Sequence, residues 1–177
     1  ATNVAIGRNA LTANTTAANN VAVGYCSLVT NTTGSTNTAL GTETLKANTT
    51  GDRNVAIGHT ALTANVDGCR MVAIGQGALS SNTTGDRNVA IGHTALTANV
   101  DGCRMVAIGQ GALGTNTTGD FSVGIGYAAL AVNTASSHVA IGCGALGANT
   151  TAACSVVVGY NAGSDVTTGK ENVFVGG

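Results

Sequence analysis

Asn82-Thr83-Thr84-Gly85-Asp86-Arg87-Asn88-Val89-Ala90-Ile91-Gly92 is one statement of a phrase that recurs along the whole chain. Its last glycine returns as Gly7, Gly24, Gly41, Gly58, Gly75, Gly92, Gly109, Gly126, Gly142, Gly159 and Gly176, spaced by seventeen with one step of sixteen after Gly126. A short fixed period marks a repeat architecture, in which each unit buries its apolar face only by stacking on the next. Counting each repeat from its glycine as position 1, positions 15 to 17 read Val-Ala-Ile, as in Val55-Ala56-Ile57. β-Branched residues alternating with Ala give the period of a strand. Positions 4 and 5 read Ala-Leu in most repeats, a second short apolar segment. Positions 8 to 11 read Asn-Thr-Thr-Gly, which is turn chemistry. Helical patterns are interrupted before they reach about ten residues.

The expected fold is therefore all-β: a parallel β-solenoid, or β-roll, of about ten 17-residue rungs, each with two short strands and two turns. At ~4.8 Å per rung it is about 50 Å long. Residues 1–177 read as one continuous array, uncapped at both ends and beginning and stopping in mid-repeat. That pattern suits a segment of a longer fibre, or subunits stacking end to end. Val and Ile are expected inside the rung with the Leu of position 5, and the strand Ala outside.

Composition supports a stacked, small-residue interior. Apolar residues reach 44% while charged residues are 8%, the reverse of a disordered chain. A net charge of -1 gives no electrostatic footprint for nucleic acid or anionic lipid. No apolar run is long enough for a membrane-spanning helix, so no membrane insertion is expected. The five cysteines, Cys26, Cys69, Cys103, Cys143 and Cys154, show no zinc spacing. Cys69 and Cys103 share a position two rungs apart, roughly 9–10 Å, beyond disulfide reach. No intrachain disulfide is expected.

Two columns stand out. Position 8 is Asn14, Asn31, Asn48, Asn65, Asn82, Asn99, Asn116, Asn133 and Asn149. Stacked amides can hydrogen-bond from rung to rung. Asn14, Asn31, Asn48, Asn82, Asn116 and Asn149 also head N-x-T acceptors for N-glycosylation. Asn65, Asn99 and Asn133 remain Asn without the acceptor, which favours the ladder over the glycan. Position 16 is Ala5, Ala22, Ala39, Ala56, Ala73, Ala90 and Ala107, continuing as Gly124, Ala140, Val157 and Phe174. Facing outward, such a row of Ala reads as a self-association face, because a solvent-facing strand normally carries polar residues.

The phrase N-V-A-I-G at 3–7, 54–58 and 88–92 resembles the head repeats of YadA-type trimeric autotransporter adhesins. The fuller phrase at 82–92 looks more like repeats of phage tail fibres and large secreted surface proteins. The resemblance implies a left-handed parallel β-roll, three chains to a head, and binding to matrix or host surfaces. This chain has a longer repeat, with an added Asn-Thr-Thr-Gly loop. Residues 48–79 and 82–113 are identical, the trace of a two-repeat duplication.

Chemistry-bearing residues follow the repeat rather than gathering into a site. His59 and His93 share position 2 two rungs apart, too far to share a metal, and His138 stands alone in the short repeat. Arg53, Arg70, Arg87 and Arg104 share position 13, with Asp52, Asp67, Asp86 and Asp101 close in sequence, which reads as a solvated salt ladder. No catalytic residue, metal or cofactor is expected. The reading is a structural repeat protein of an extracellular fibre, cell-surface appendage or virion. Its partner is itself, as a homotrimer or an end-to-end filament, with glycans or a host surface as further partners. An adhesin head is the first alternative. An ice-binding solenoid is the second, although the Thr pair sits in a turn and is broken at Val66-Asp67 and Val100-Asp101.

Overall fold

The computed structural model describes residues 2–150 and 153–177. The described residues are all-β, with eleven three-residue strands: β1 Val4–Ile6, β2 Val21–Val23, β3 Thr38–Leu40, β4 Val55–Ile57, β5 Val72–Ile74, β6 Val89–Ile91, β7 Val106–Ile108, β8 Val123–Ile125, β9 Val139–Ile141, β10 Val156–Val158 and β11 Val173–Val175. They form one parallel sheet in chain order. Register carries each repeat position onto itself: Val55 pairs with Val72, Ala56 with Ala73 and Ile57 with Ile74. Across the short step the match persists, Val123 with Val139. The result is a β-solenoid of about 10 turns with one repeat per rung, as the period predicts.

Only one segment per rung is a strand. The Ala-Leu segment is a run of turns instead: Ala61 N–H donates to Gly58 O at 3.3 Å, Thr63 to Thr60 O at 3.3 Å and Asn65 to Leu62 O at 3.2 Å. Thr60 and Leu62 hold φ of 56° and 52°, each as third residue of its turn, where a type II turn requires a positive value. The intervening N–H groups point along the axis. Thr60 donates back to Thr42 O at 3.0 Å and Leu62 forward to Ala78 O at 3.0 Å. The expected second strand is thus replaced by turns that keep the rung-to-rung ladder. A left-handed Leu costs roughly 1–2 kcal/mol. Leu62, Leu79 and Leu96 are completely buried, and burying such a side chain contributes roughly 1.5–3 kcal/mol. Burial wins, so Leu occupies a corner that backbone preference alone would give to Gly.

The strand faces are inverted relative to expectation. Ala22, Ala39, Ala56, Ala73, Ala90, Ala107 and Ala140 are fully buried, and the flanking Val and Ile face outward, half-buried or exposed. The reason is the width of the rung. Leu at position 5 spans the interior and meets the strand residue of its own rung. A Cβ on Gly124 would lie 3.4 Å from Leu113 Cγ, ordinary contact. Close packing leaves room there for a small side chain, Ala in most rungs and Val157, also fully buried, in the rung of Leu146. The last rung exchanges the two sizes: Gly163 replaces the Leu, Phe174 replaces the Ala, and a Cβ on Gly163 would lie 3.2 Å from Phe174 Cδ2. The period glycines fit the same tight stacking, since a Cβ on Gly75, at φ +127°, would approach Gly92 O at 2.6 Å.

Candidate functional faces

The position-8 asparagines form the expected ladder inside the rung. Asn31, Asn48, Asn65, Asn82, Asn99, Asn116, Asn133 and Asn149 are fully buried, and Asn14 is half-buried. Along the regular rungs the amide donates to the rung before it: Asn48 Nδ2 to Asn31 Oδ1 at 2.8 Å, Asn65 to Asn48 at 2.7 Å, Asn82 to Asn65 at 3.1 Å, Asn99 to Asn82 at 2.7 Å. The same Nδ2 also closes its own turn, as Asn65 does onto Gly68 O at 3.0 Å.

A second buried amide column lies at position 14, in Asn20, Asn37, Asn54 and Asn88. It shares the inward strand face with Ala because the two are separated by two residues. Asn54 accepts from Met71 N–H at 3.0 Å and donates to Gly68 O at 2.9 Å. Gly68 O therefore accepts from Asn65 of its own rung and Asn54 of the preceding one, filling both lone pairs. A Cβ on Gly68 would sit 2.6 Å from Asn65 Oδ1, so glycine belongs here. The recurrent Asn before Val-Ala-Ile was the signal for this column.

The one-residue deletion interrupts the first column. In the short repeat Asn133 Nδ2 turns to Ala135 O at 2.7 Å. Asn116 Oδ1 is left buried without a hydrogen-bond partner. His138 takes the position-14 place in this rung, fully buried. Its Nδ1 accepts from Ser155 N–H at 3.3 Å, and its Nε2 lies 3.1 Å from Asn149 Nδ2. His138 is thus a core residue that continues a ladder.

Burial corrects the glycan assignment. Asn31, Asn48, Asn82, Asn116 and Asn149 are sealed in the rung. Asn82, for example, uses Nδ2 in bonds to Asn65 Oδ1 and Gly85 O, so a sugar on that nitrogen would displace the ladder. Asn14 Nδ2 is likewise engaged, with Ala17 O at 3.2 Å. The salt ladder is also corrected. Among the described residues the ion pair present is Lys46–Glu43 at 2.9 Å, and the four Arg have no carboxylate partner. The position-12 carboxylates bond backbone instead: Asp52 Oδ1 accepts Ser35 N–H, Asp86 accepts Cys69 N–H and Asp120 accepts Cys103 N–H, each at 2.6 Å. Cys69 and Cys103 continue this alternating column, their Sγ accepting Asp52 and Asp86 N–H at 3.3 Å. All five cysteines are free. His59 and His93 are exposed on the rod surface. Among the described residues no three His, Cys, Asp or Glu side chains gather as metal ligands would.

The self-association face assigned to the Ala row cannot be a surface, because that row is core; of its members only Ala5, on β1, is exposed. The outer strand face carries two other columns. Position 15 is Val in every strand except β3, where it is Thr38, and position 17 is Ile, Val or Leu throughout. Val4, Ile6, Leu40, Ile91, Ile141, Val156, Val158, Val173 and Val175 are among the exposed large apolar residues. Comparison with protein-family models, with curated proteins and with solved structures finds no match.

Proposed function

We propose that this chain is a structural rod, part of an extracellular fibre or filament of the phage tail-fibre or surface-appendage kind. It acts through shape and self-association rather than through a catalytic step, metal or cofactor. The observation that carries this reading is the equivalence of successive rungs. Each is joined to its neighbours by the same backbone register and largely by the same buried amides. Length can then change by whole rungs without a new core, as in other nearest-neighbour repeat proteins. The identity of residues 48–79 and 82–113 is what growth by whole repeats would leave. The threonine rows fit the same reading. Thr32, Thr49 and Thr83 hydroxyls donate to next-rung carbonyls at 3.1, 3.1 and 3.2 Å, so they reinforce the stack.

Electron cryo-microscopy of the native material tests the assignment. Filaments with an axial spacing of ~4.8 Å, containing this chain along their length, are the expected result. Recovery of the chain only in compact particles with no axial repeat would overturn it.

A further inference from the structure

The geometry points to the Val/Ile face of the sheet as the surface on which a second copy of this chain docks, rod against rod. The inference rests on the scaffold reading and names the face through which rods associate. Alternation puts Asn and Ala inward and leaves two apolar columns outward along β1 to β11. No charged residue interrupts either column. The solvated face of a sheet in a monomeric protein normally carries polar residues in alternation with the inward apolar ones.

The face has the size and layout of an interface. Ten of the outward Val, Ile and Leu side chains are 36–81% exposed and the others are half-buried, so the columns offer on the order of 1,000 Å² per chain, against ~800 Å² per partner in a standard interface. Monomers rarely leave an apolar patch larger than ~300–600 Å². Polar and charged side chains line both flanks. Exposed Arg53, Arg70, Arg87 and Arg104 lie beside the Val column, and exposed His59, Gln76, His93 and Gln110 lie beyond the Ile column. An apolar centre with a polar rim is the usual anatomy of an interface.

Periodicity selects the occupant. The bumps along the face recur at the strand spacing, ~4.8 Å, for the length of the sheet. A surface that interdigitates with them over all eleven strands must have the same period. Another copy of this face has it by construction, and matched β faces of identical chains close into dry, interlocked layers. An irregular globular partner would fall out of step after a few rungs.

The test compares the 177-residue chain with Ile57→Lys/Ile91→Lys/Ile125→Lys, which places charges on alternate rungs of the face. Sedimentation equilibrium gives the mass and circular dichroism the fold. Wild type is expected as a multimer at micromolar concentration, and the variant as a 17.2 kDa monomer with an unchanged spectrum. Ile57→Thr/Ile91→Thr/Ile125→Thr, which keeps β-branched strand formers, covers the case in which Lys disturbs folding. It should lower the association constant at least tenfold. Thr33→Lys/Thr84→Lys/Thr118→Lys, on exposed turn positions, should associate like wild type. A wild-type monomer at tens of micromolar, a folded Thr variant that associates unchanged, or equal dissociation of the turn variant overturns the proposal. Monomeric rods seen as filament components in the native material would remove the face while leaving the scaffold reading intact.

Discussion

Replacing Asn82 tests the amide column where it is most regular. Its Nδ2 donates to Asn65 Oδ1 and to Gly85 O, both at 3.1 Å, and its Oδ1 accepts Asn99 Nδ2 at 2.7 Å. Asn82→Ala leaves Asn65 Oδ1 and Gly85 O buried and unpaired, while Asn99 keeps its bond to Gly102 O. At ~1–3 kcal/mol for each buried unsatisfied group, plus the lost packing, the expected loss is about 3–5 kcal/mol. For a chain of this size that lowers Tm by about 6–20 °C. Asn82→Asp keeps the shape and the acceptor but loses the donor and buries a carboxylate. Burial raises a carboxyl pKa above its unfolded value of about 3.9. The penalty is then complete above the raised folded value, shrinks as pH falls, and is gone below about 3.9. Thermal melts by circular dichroism should therefore show the gap between Asn82→Asp and wild type narrowing from pH 7 to pH 4. Exposed Thr84→Ala serves as control and should stay within about 0.5 kcal/mol of wild type. A loss below about 0.5 kcal/mol for Asn82→Ala, or a pH-independent gap for Asn82→Asp, would refute the assignment of the column as a buried ladder.

Three other substitutions probe the rung. Ala73→Asp should unfold neighbouring rungs because it places a charge in the core, while Ile74→Asp, on the half-buried outer face, should cost about 1 kcal/mol or less in a chain kept monomeric; urea titration ranks them, and the opposite order would put Val and Ile inside and contradict the inverted strand. Inserting Gly between Ala135 and Ser136 should return the short repeat to full length, give Asn116 Oδ1 a donor and stabilise by about 1–3 kcal/mol; no gain in the midpoint would mean that a different feature governs that step. Gly163→Leu and Phe174→Ala should each destabilise, by overpacking and by cavity formation respectively, about 1–3 and 3–5 kcal/mol; the double variant should recover most of the loss, and simple additivity would contradict the size exchange within the last rung.

Much of the fold was legible because the glycine period fixes the rung and the rung fixes the register. Asn at position 8 was legible as a ladder because it persists where the glycan acceptor is lost, at Asn65 and Asn99. The face of the strand was not. Val and Ile are the more hydrophobic residues, and hydrophobicity alone sends them inward. The interior instead admits only what fits opposite Leu62 and its equivalents: Ala in most rungs, Gly124 in one and Val157 in the rung of Leu146. The exchange of Gly163 for Leu and Phe174 for Ala in one rung was the sequence signal that these two positions touch. The left-handed Leu corners had no local signature, since Leu disfavours positive φ and tertiary burial holds it there. The partners of Asp52 and Asp86 were misread because nearby Arg suggested ion pairs, whereas backbone N–H groups one rung away lie closer.

The central claim is that each 17-residue repeat adds one rung to a rod of fixed cross-section. Small-angle X-ray scattering from the chain and from a version carrying one further copy of residues 82–115 tests it most directly. The two additional rungs should lengthen the particle by ~9–10 Å with the cross-sectional radius of gyration unchanged. An unchanged length, or growth in cross-section, would contradict the account.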